Sequence, residues 1–115
     1  MNEQYNNTLY RAVRANFAVG RPWLGSDGAF EESKDAAKAV YFGLLKERRG
    51  ESAMLNEAYE LNVEEKDLNR FLDIYGKISD VKQEIRKGSV VKYVDRYKIK
   101  VELIKNYFKH ARIPF

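Results

Sequence analysis

The sequence predicts an all-α protein, a small helical bundle of about five helices that ends in a long antiparallel helix hairpin. Three observations lead there. Apolar residues recur at three- and four-residue steps through most of the chain. The only two prolines, Pro22 and Pro114, leave the long interior free of helix breakers. Gly50 and Gly88 each follow a basic turn, "KERRG" and "IRKG", as helix ends do. At 115 residues the chain reads as one domain, long enough to bury roughly 65% of its unfolded surface. Within it, residues 1–62 hold the shorter helices and a glycine-rich loop at 20–28, and residues 63–115 form the hairpin.

The first helix spans about Leu9 to Val19, capped by Asn7 or Thr8, with Leu9, Val13 and Phe17 inward and Arg11 and Arg14 on the other side. "GRPWLGSDG" then reads as loop. A second helix starts near Ala29 behind Ser26 or Asp27, with Glu31 and Glu32 suited to its first turn. Phe30, Ala37, Tyr41 and Leu44 make its apolar face. A short helix from about Ala53 to Leu61 carries Met54, Leu55, Ala58 and Leu61.

Asn62 and Glu65 have the spacing of a capping box. Beyond them Phe71, Ile74, Ile78, Val81 and Ile85 keep a helical rhythm that passes through Gly76, so one helix is expected to about Lys87. Gly76 costs it roughly 1 kcal/mol relative to alanine. After Gly88 and a cap at Ser89, a final helix is expected from Val90 to about Arg112. Its seam is Val90, Val94, Tyr97, Val101, Ile104, Phe108 and Ala111, held for three heptads. Ile99 and Leu103 fall on another face of that helix. They place it at the centre of the bundle or give it a surface for a second protein.

Met54 to Asp73 resembles the helix-turn-helix unit of bacterial and phage repressors. The resemblance rests on Ala58, the trio Leu61-Asn62-Val63 at the turn, and Leu68 and Phe71 in the second helix. Asn62 replaces the usual glycine, and Glu57 stands where that family has an apolar residue. The resemblance implies that the second helix would enter the major groove. Its outward residues are Glu64, Glu65, Lys66, Asn69, Arg70 and Asp73, three acids among them besides two bases. That is a poor face for a polyanion. The segment therefore reads as scaffold.

Charge divides the chain. Residues 1–76 hold 10 Lys/Arg against 13 Asp/Glu, and residues 77–115 hold 11 against 4. The basic half looks for an electrostatic partner, either a polyanion or an acidic surface, which the acidic half of the same molecule could supply. Lys98, Lys100, Lys105 and Arg112 flank the expected seam and discourage self-pairing through it. Glu57, Glu60, Glu64, Glu65, Asp67, Asp80 and Glu84 are the internal acids in reach.

The residues expected to meet nucleic acid are Lys82, Arg86, Lys87, Lys92, Arg96, Lys98, Lys100 and Lys109, interleaved with Tyr93, Tyr97 and Tyr107. Basic side chains beside aromatics suit single strands or RNA. Trp23, in the loop, either plugs the end of the bundle or anchors a protein partner, as Ile99 and Leu103 could.

Catalysis finds little support. The chain has no cysteine and one histidine, His110, so no cysteine chemistry or histidine cluster can be assembled. It has neither a phosphate-binding glycine loop nor a Gly-x-Ser-x-Gly elbow. No catalytic residue, metal or cofactor is expected. The start "MNEQYNNTLY" lacks the features of a secretion signal, so the cytoplasm is the expected location. Two functions follow as expectations. The first is a non-enzymatic basic protein associated with nucleic acid, DNA or RNA, or with a nucleic-acid-handling complex. The second is a protein-interaction module, an inhibitor, adaptor or small subunit of the kind phages and mobile elements encode.

Overall fold

Residues 36–45 read Ala-Ala-Lys-Ala-Val-Tyr-Phe-Gly-Leu-Leu, apolar on every side of a helix except at Lys38. A helix of that kind must be covered all round. The computed structural model of the chain, which describes residues 8–19, 31–94 and 97–115, is built around it. The elements are α1 (Thr8–Val19), α2 (Glu31–Arg49), α3 (Glu51–Glu60), α4 (Glu65–Arg86), β1 (Tyr93–Val94), β2 (Ile99–Lys100) and α5 (Val101–His110). The class is all-α, with one small two-stranded ladder among the described residues. No helix among the described residues is long and apolar enough to cross a membrane.

α2 is the axis. It packs on α4 most extensively, then on α3, α5 and α1. Ala36, Ala37, Ala39, Val40, Tyr41 and Phe42 are fully buried, and Leu44 and Leu45 nearly so. Gly43 lets α4 come close: a Cβ there would lie 2.1 Å from Cγ of Tyr75, well inside contact distance. A chain of rings fills the space between the helices. Tyr10 meets Tyr41 edge-on at 5.0 Å, Tyr41 meets Phe42 at 5.2 Å, and Phe42 stacks on Phe71 at 6.1 Å. From α1, Leu9, Tyr10 and Val13 are buried in this core. The side chain of Phe17, and the expected α2 caps Ser26 and Asp27 with Phe30, lie outside the described residues.

Four of the expected helices form close to their expected bounds. Their ends show why. α4 stops at Lys87, where the N–H of Ser89 donates to the Glu84 carbonyl and that of Gly88 to the Ile85 carbonyl, with Gly88 at φ 94°. This is a Schellman closure. α3 closes the same way, with Asn62 at φ 58° in the left-handed position and the Val63 N–H donating to the Ala58 carbonyl. The expected capping box is corrected here. Asn62 terminates α3, while Glu64 holds the cap position of α4 without a side-chain hydrogen bond. Between α2 and α3 there is only Gly50, at φ 95° and ψ 169°.

The C-terminal antiparallel helix hairpin is overturned. The chain from Val90 is not helical until Val101; it makes the β1–β2 hairpin first, and Ser89 caps no helix. Val94 pairs with Ile99 facing inward, and Tyr93 pairs with Lys100 facing outward. The Val101 N–H extends the ladder by donating to the Lys92 carbonyl at 3.0 Å. The physical reason lies in "YKIKV", where Tyr97, Ile99 and Val101 alternate with Lys98 and Lys100 at a period of two, and in the β-branched and aromatic residues of "VVKYV"; both suit a half-buried strand. Val94 and Val101 sit seven residues apart and are buried either way, so the heptad count could not separate the two structures. Ile99 is off the seam of a helix but inside the ladder, 1% exposed. Val90, the first seam residue, is 89% exposed. α5, with Val101, Ile104, Tyr107 and Phe108 buried, lies chiefly on α2, so the central helix is α2 and not the last one.

Candidate functional site

Three groups of polar side chains stand out, and they differ in how fully the fold occupies them. The first is internal. Glu57 on α3 accepts hydrogen bonds from Arg14 of α1 and from the Tyr41 hydroxyl of α2, both on the same carboxylate oxygen. Three helices are thereby joined at one atom. Burial, and then the bond to Glu57, push the Tyr41 phenol well above the usual range, with Arg14 opposing them. Tyr75 is raised likewise, first by burial and then by its bond to Glu47. Glu57 is thus committed to Arg14, and its expected role as a shoulder for the C-terminal lysines is corrected.

The second group is the outward face of the α3–α4 unit. Ala58, Leu68 and Phe71 are buried and Leu61 and Val63 half-buried. Lys66 sits 3.6 Å from Glu64. Arg70 reaches Asp35 of α2 at 2.5 Å and Asp67 at 3.7 Å, and covers the Phe71 ring at 5.0 Å. Asp73 accepts from the Tyr97 hydroxyl at 2.7 Å. Both cations of this face therefore already have acids, which leaves little net positive charge at the start of α4.

The third group is the basic C-terminal set, and the structure treats its members unequally. Lys82 is not left outside as expected. Its ammonium lies 4.4 Å from the centre of the Phe108 ring, and burial, then Arg86, lower its pKa. Arg86 donates to the Phe115 carbonyl at 3.4 Å. Lys87 pairs with Glu84 at 3.7 Å, and Lys105, also over Phe115, with Glu102 at 3.9 Å. Lys92, Lys98, Lys100 and Lys109 are exposed and meet no acid among the described residues. Arg96 lies outside the described residues.

Three of those four lysines belong to the β-hairpin. Lys92 precedes β1, Lys98 takes a left-handed φ of 54° at the turn, and Lys100 stands opposite Tyr93 across the ladder. Val91, Lys92, Tyr93, Lys100, Val101 and Glu102 line an open recess of about 200 Å³. The interleaved tyrosines separate. Tyr93 is 50% exposed, Tyr97 is half-buried and bonded to Asp73, and Tyr107 is fully buried. The cross-strand approach of Tyr93 and Lys100 was missed from the sequence; the "YKIKV" alternation could have shown it.

As a protein anchor, Ile99 is corrected: it belongs to the core. Leu103 is half-buried against the same core, and Trp23 lies outside the described residues. Among the described residues, the exposed large apolar side chains on a helix are instead Leu55 and Tyr59, one turn apart on α3. Tyr59, 84% exposed, borders an open recess of about 610 Å³ with Glu60, Asn62, Val63 and Glu64. Among the described residues no three His, Cys, Asp or Glu side chains gather as a metal ion would require. No protein-family model, curated protein or solved structure matches this chain.

Proposed function

We propose that the protein is a non-enzymatic binding protein that takes a polyanion, nucleic acid by preference, on the lysines of its β-hairpin. One observation carries this reading. Lys92, Lys98 and Lys100 lie in or beside one short ladder and meet no acid among the described residues, whereas Arg14, Lys66 and Arg70 in the acidic part of the chain are each paired. Exposed lysines gain by displacing counterions from phosphate, and affinity for nucleic acid is dominated by that exchange. Lys109, on α5, is likewise exposed and meets no acid among the described residues.

The test is a salt titration of binding to short DNA and RNA oligonucleotides, with the triple variant Lys92→Gln, Lys98→Gln, Lys100→Gln beside the native chain. Affinity should fall steeply with salt, and the logarithmic slope should shrink by roughly 0.7–0.9 for each lysine lost. Absence of binding at low ionic strength defeats the reading, as does a slope the triple variant leaves unchanged.

A second reading rests on the exposed Leu55–Tyr59 pair of α3, which suits a protein-interaction module. In that case a partner co-purified from the native host is lost with Leu55→Ala plus Tyr59→Ala, and is retained by the lysine variant after nuclease treatment.

A further inference from the structure

The hairpin carries something that a purely electrostatic surface does not need. On its outward face, opposite Lys100, stands an aromatic ring. Tyr93 and Lys100 are direct cross-strand partners on the exposed side of the ladder. Opposed positions of this kind hold their Cβ atoms roughly 5 Å apart. Lys92 adjoins Tyr93 in sequence and lines the same recess with Val91, Lys100, Val101 and Glu102, the last of which pairs with Lys105 at 3.9 Å. Tyr93 exposes half its surface even though the neighbouring Val94 is completely buried. The other tyrosines of this half are spent elsewhere, Tyr97 on Asp73 and Tyr107 within the core. Tyr59 is more open, but its recess is lined by Glu60 and Glu64 and by no cation, whereas that of Tyr93 sets two lysines against the single Glu102.

A ring flanked by ammonium groups offers two contacts at once, a face for a base and charge for the adjoining phosphates. In a duplex the base faces are already covered by neighbouring bases, so only the phosphate contact remains. Reading a duplex by its base edges calls instead for arginine, asparagine or glutamine at outward positions. The described outward positions of this hairpin are lysine and tyrosine. Resting on the polyanion reading above, we infer that the ligand of this site is single-stranded nucleic acid, and that Tyr93 is the platform on which one base stacks while Lys92 and Lys100 hold the phosphates beside it.

The experiment uses the full chain and labelled oligonucleotides of one sequence as single-stranded DNA, single-stranded RNA and duplex DNA, read by fluorescence anisotropy, with folding followed by circular dichroism. The native chain should prefer single strands to duplex by about ten-fold or more. Tyr93→Phe, which keeps the ring, should bind as the native chain does. Tyr93→Ala should weaken single-strand binding roughly 5- to 100-fold and leave duplex binding unchanged. Lys100→Gln should weaken both and flatten the salt dependence. Equal affinity for duplex and single strands, or single-strand affinity indifferent to Tyr93→Ala, overturns the stacking inference while the polyanion reading stands. Failure to bind any of the three at low salt removes both.

Discussion

Arg70 and Lys100 are both cations on the surface of a small protein, yet the fold uses them oppositely. Arg70 lies between Asp35 and Asp67 and over the Phe71 ring, so its charge and its flat face are consumed in fixing α4 to α2. Arg14 is consumed likewise by Glu57. Lys100 stands across a two-residue ladder from an open tyrosine, with no acid opposite. The difference follows from where acids fall in the sequence: 13 of the 17 precede residue 77. A cation becomes available for a partner when its own chain cannot neutralise it. Composition sets that condition, and strand register decides which side chain inherits it.

That contrast can be broken most directly at Ile99, the buried neighbour of Lys100. Ile99→Ala should destabilise the fold by roughly 2–5 kcal/mol, since it empties a fully enclosed site beneath the ladder. Chemical denaturation measures this, and a loss within error would mean the hairpin is an appendage and not part of the core.

Next in size is the internal side of the comparison. Glu57→Ala leaves the buried Tyr41 hydroxyl without its acceptor and should cost about 1–3 kcal/mol. Glu57→Gln, which keeps an acceptor, should cost less. Equal losses in the two variants would show that packing, and not the hydrogen bond, is what the position supplies.

Alkaline titration sharpens the same contrast with a smaller effect. The Tyr41 and Tyr75 phenols stay protonated in the fold well above their ordinary value of 10.0, while in the unfolded chain they ionise near it. Their stabilisation is therefore complete below about pH 10 and is lost as the pH rises beyond it. Lys82 works in the other sense, because its lowered pKa relieves a burial penalty as its proton leaves. Tyr75→Phe should move the alkaline unfolding midpoint upward; an unmoved midpoint would assign the alkaline loss to other groups.

The smallest expected effect is on stability at the hairpin surface. Replacing Lys92, Lys98 and Lys100 with glutamine should leave the thermal midpoint unchanged while polyanion binding weakens and its salt dependence flattens. A marked drop in that midpoint would show that these lysines belong to the folding machinery after all.

α1 to α4 were legible in the sequence because their ends are written in single residues. Gly50 and Gly88 stop two of the helices as expected, Asn62, expected to open α4, closes α3 instead, and apolar steps of three and four run between these residues. The segment from Val90 to Val101 was misread because its seven-residue spacing of buried valines fits a helical seam as well as it fits two inward strand positions. Ile99 was the residue to trust. An isoleucine with no place on the seam marks a conflict of period, and the strand resolves it. The basic surface was legible as a charge excess, but not the sorting of its members. Whether a lysine ends over a ring, as Lys82 does, or in the open, as Lys100 does, depends on contacts between elements distant in sequence.

Gly50 bears on all of this from a distance. Its backbone, at φ 95° and ψ 169°, occupies a region in which essentially only glycine is at ease, and it is the whole of the connection between two helices. The direction in which the third helix sets out is thus governed by a single joint. A methyl group there would add strain of order 1–3 kcal/mol, and relaxing that strain would re-aim the helix that carries Glu57. Through that carboxylate, the grip on the first helix would be surrendered by a change at a residue that touches neither.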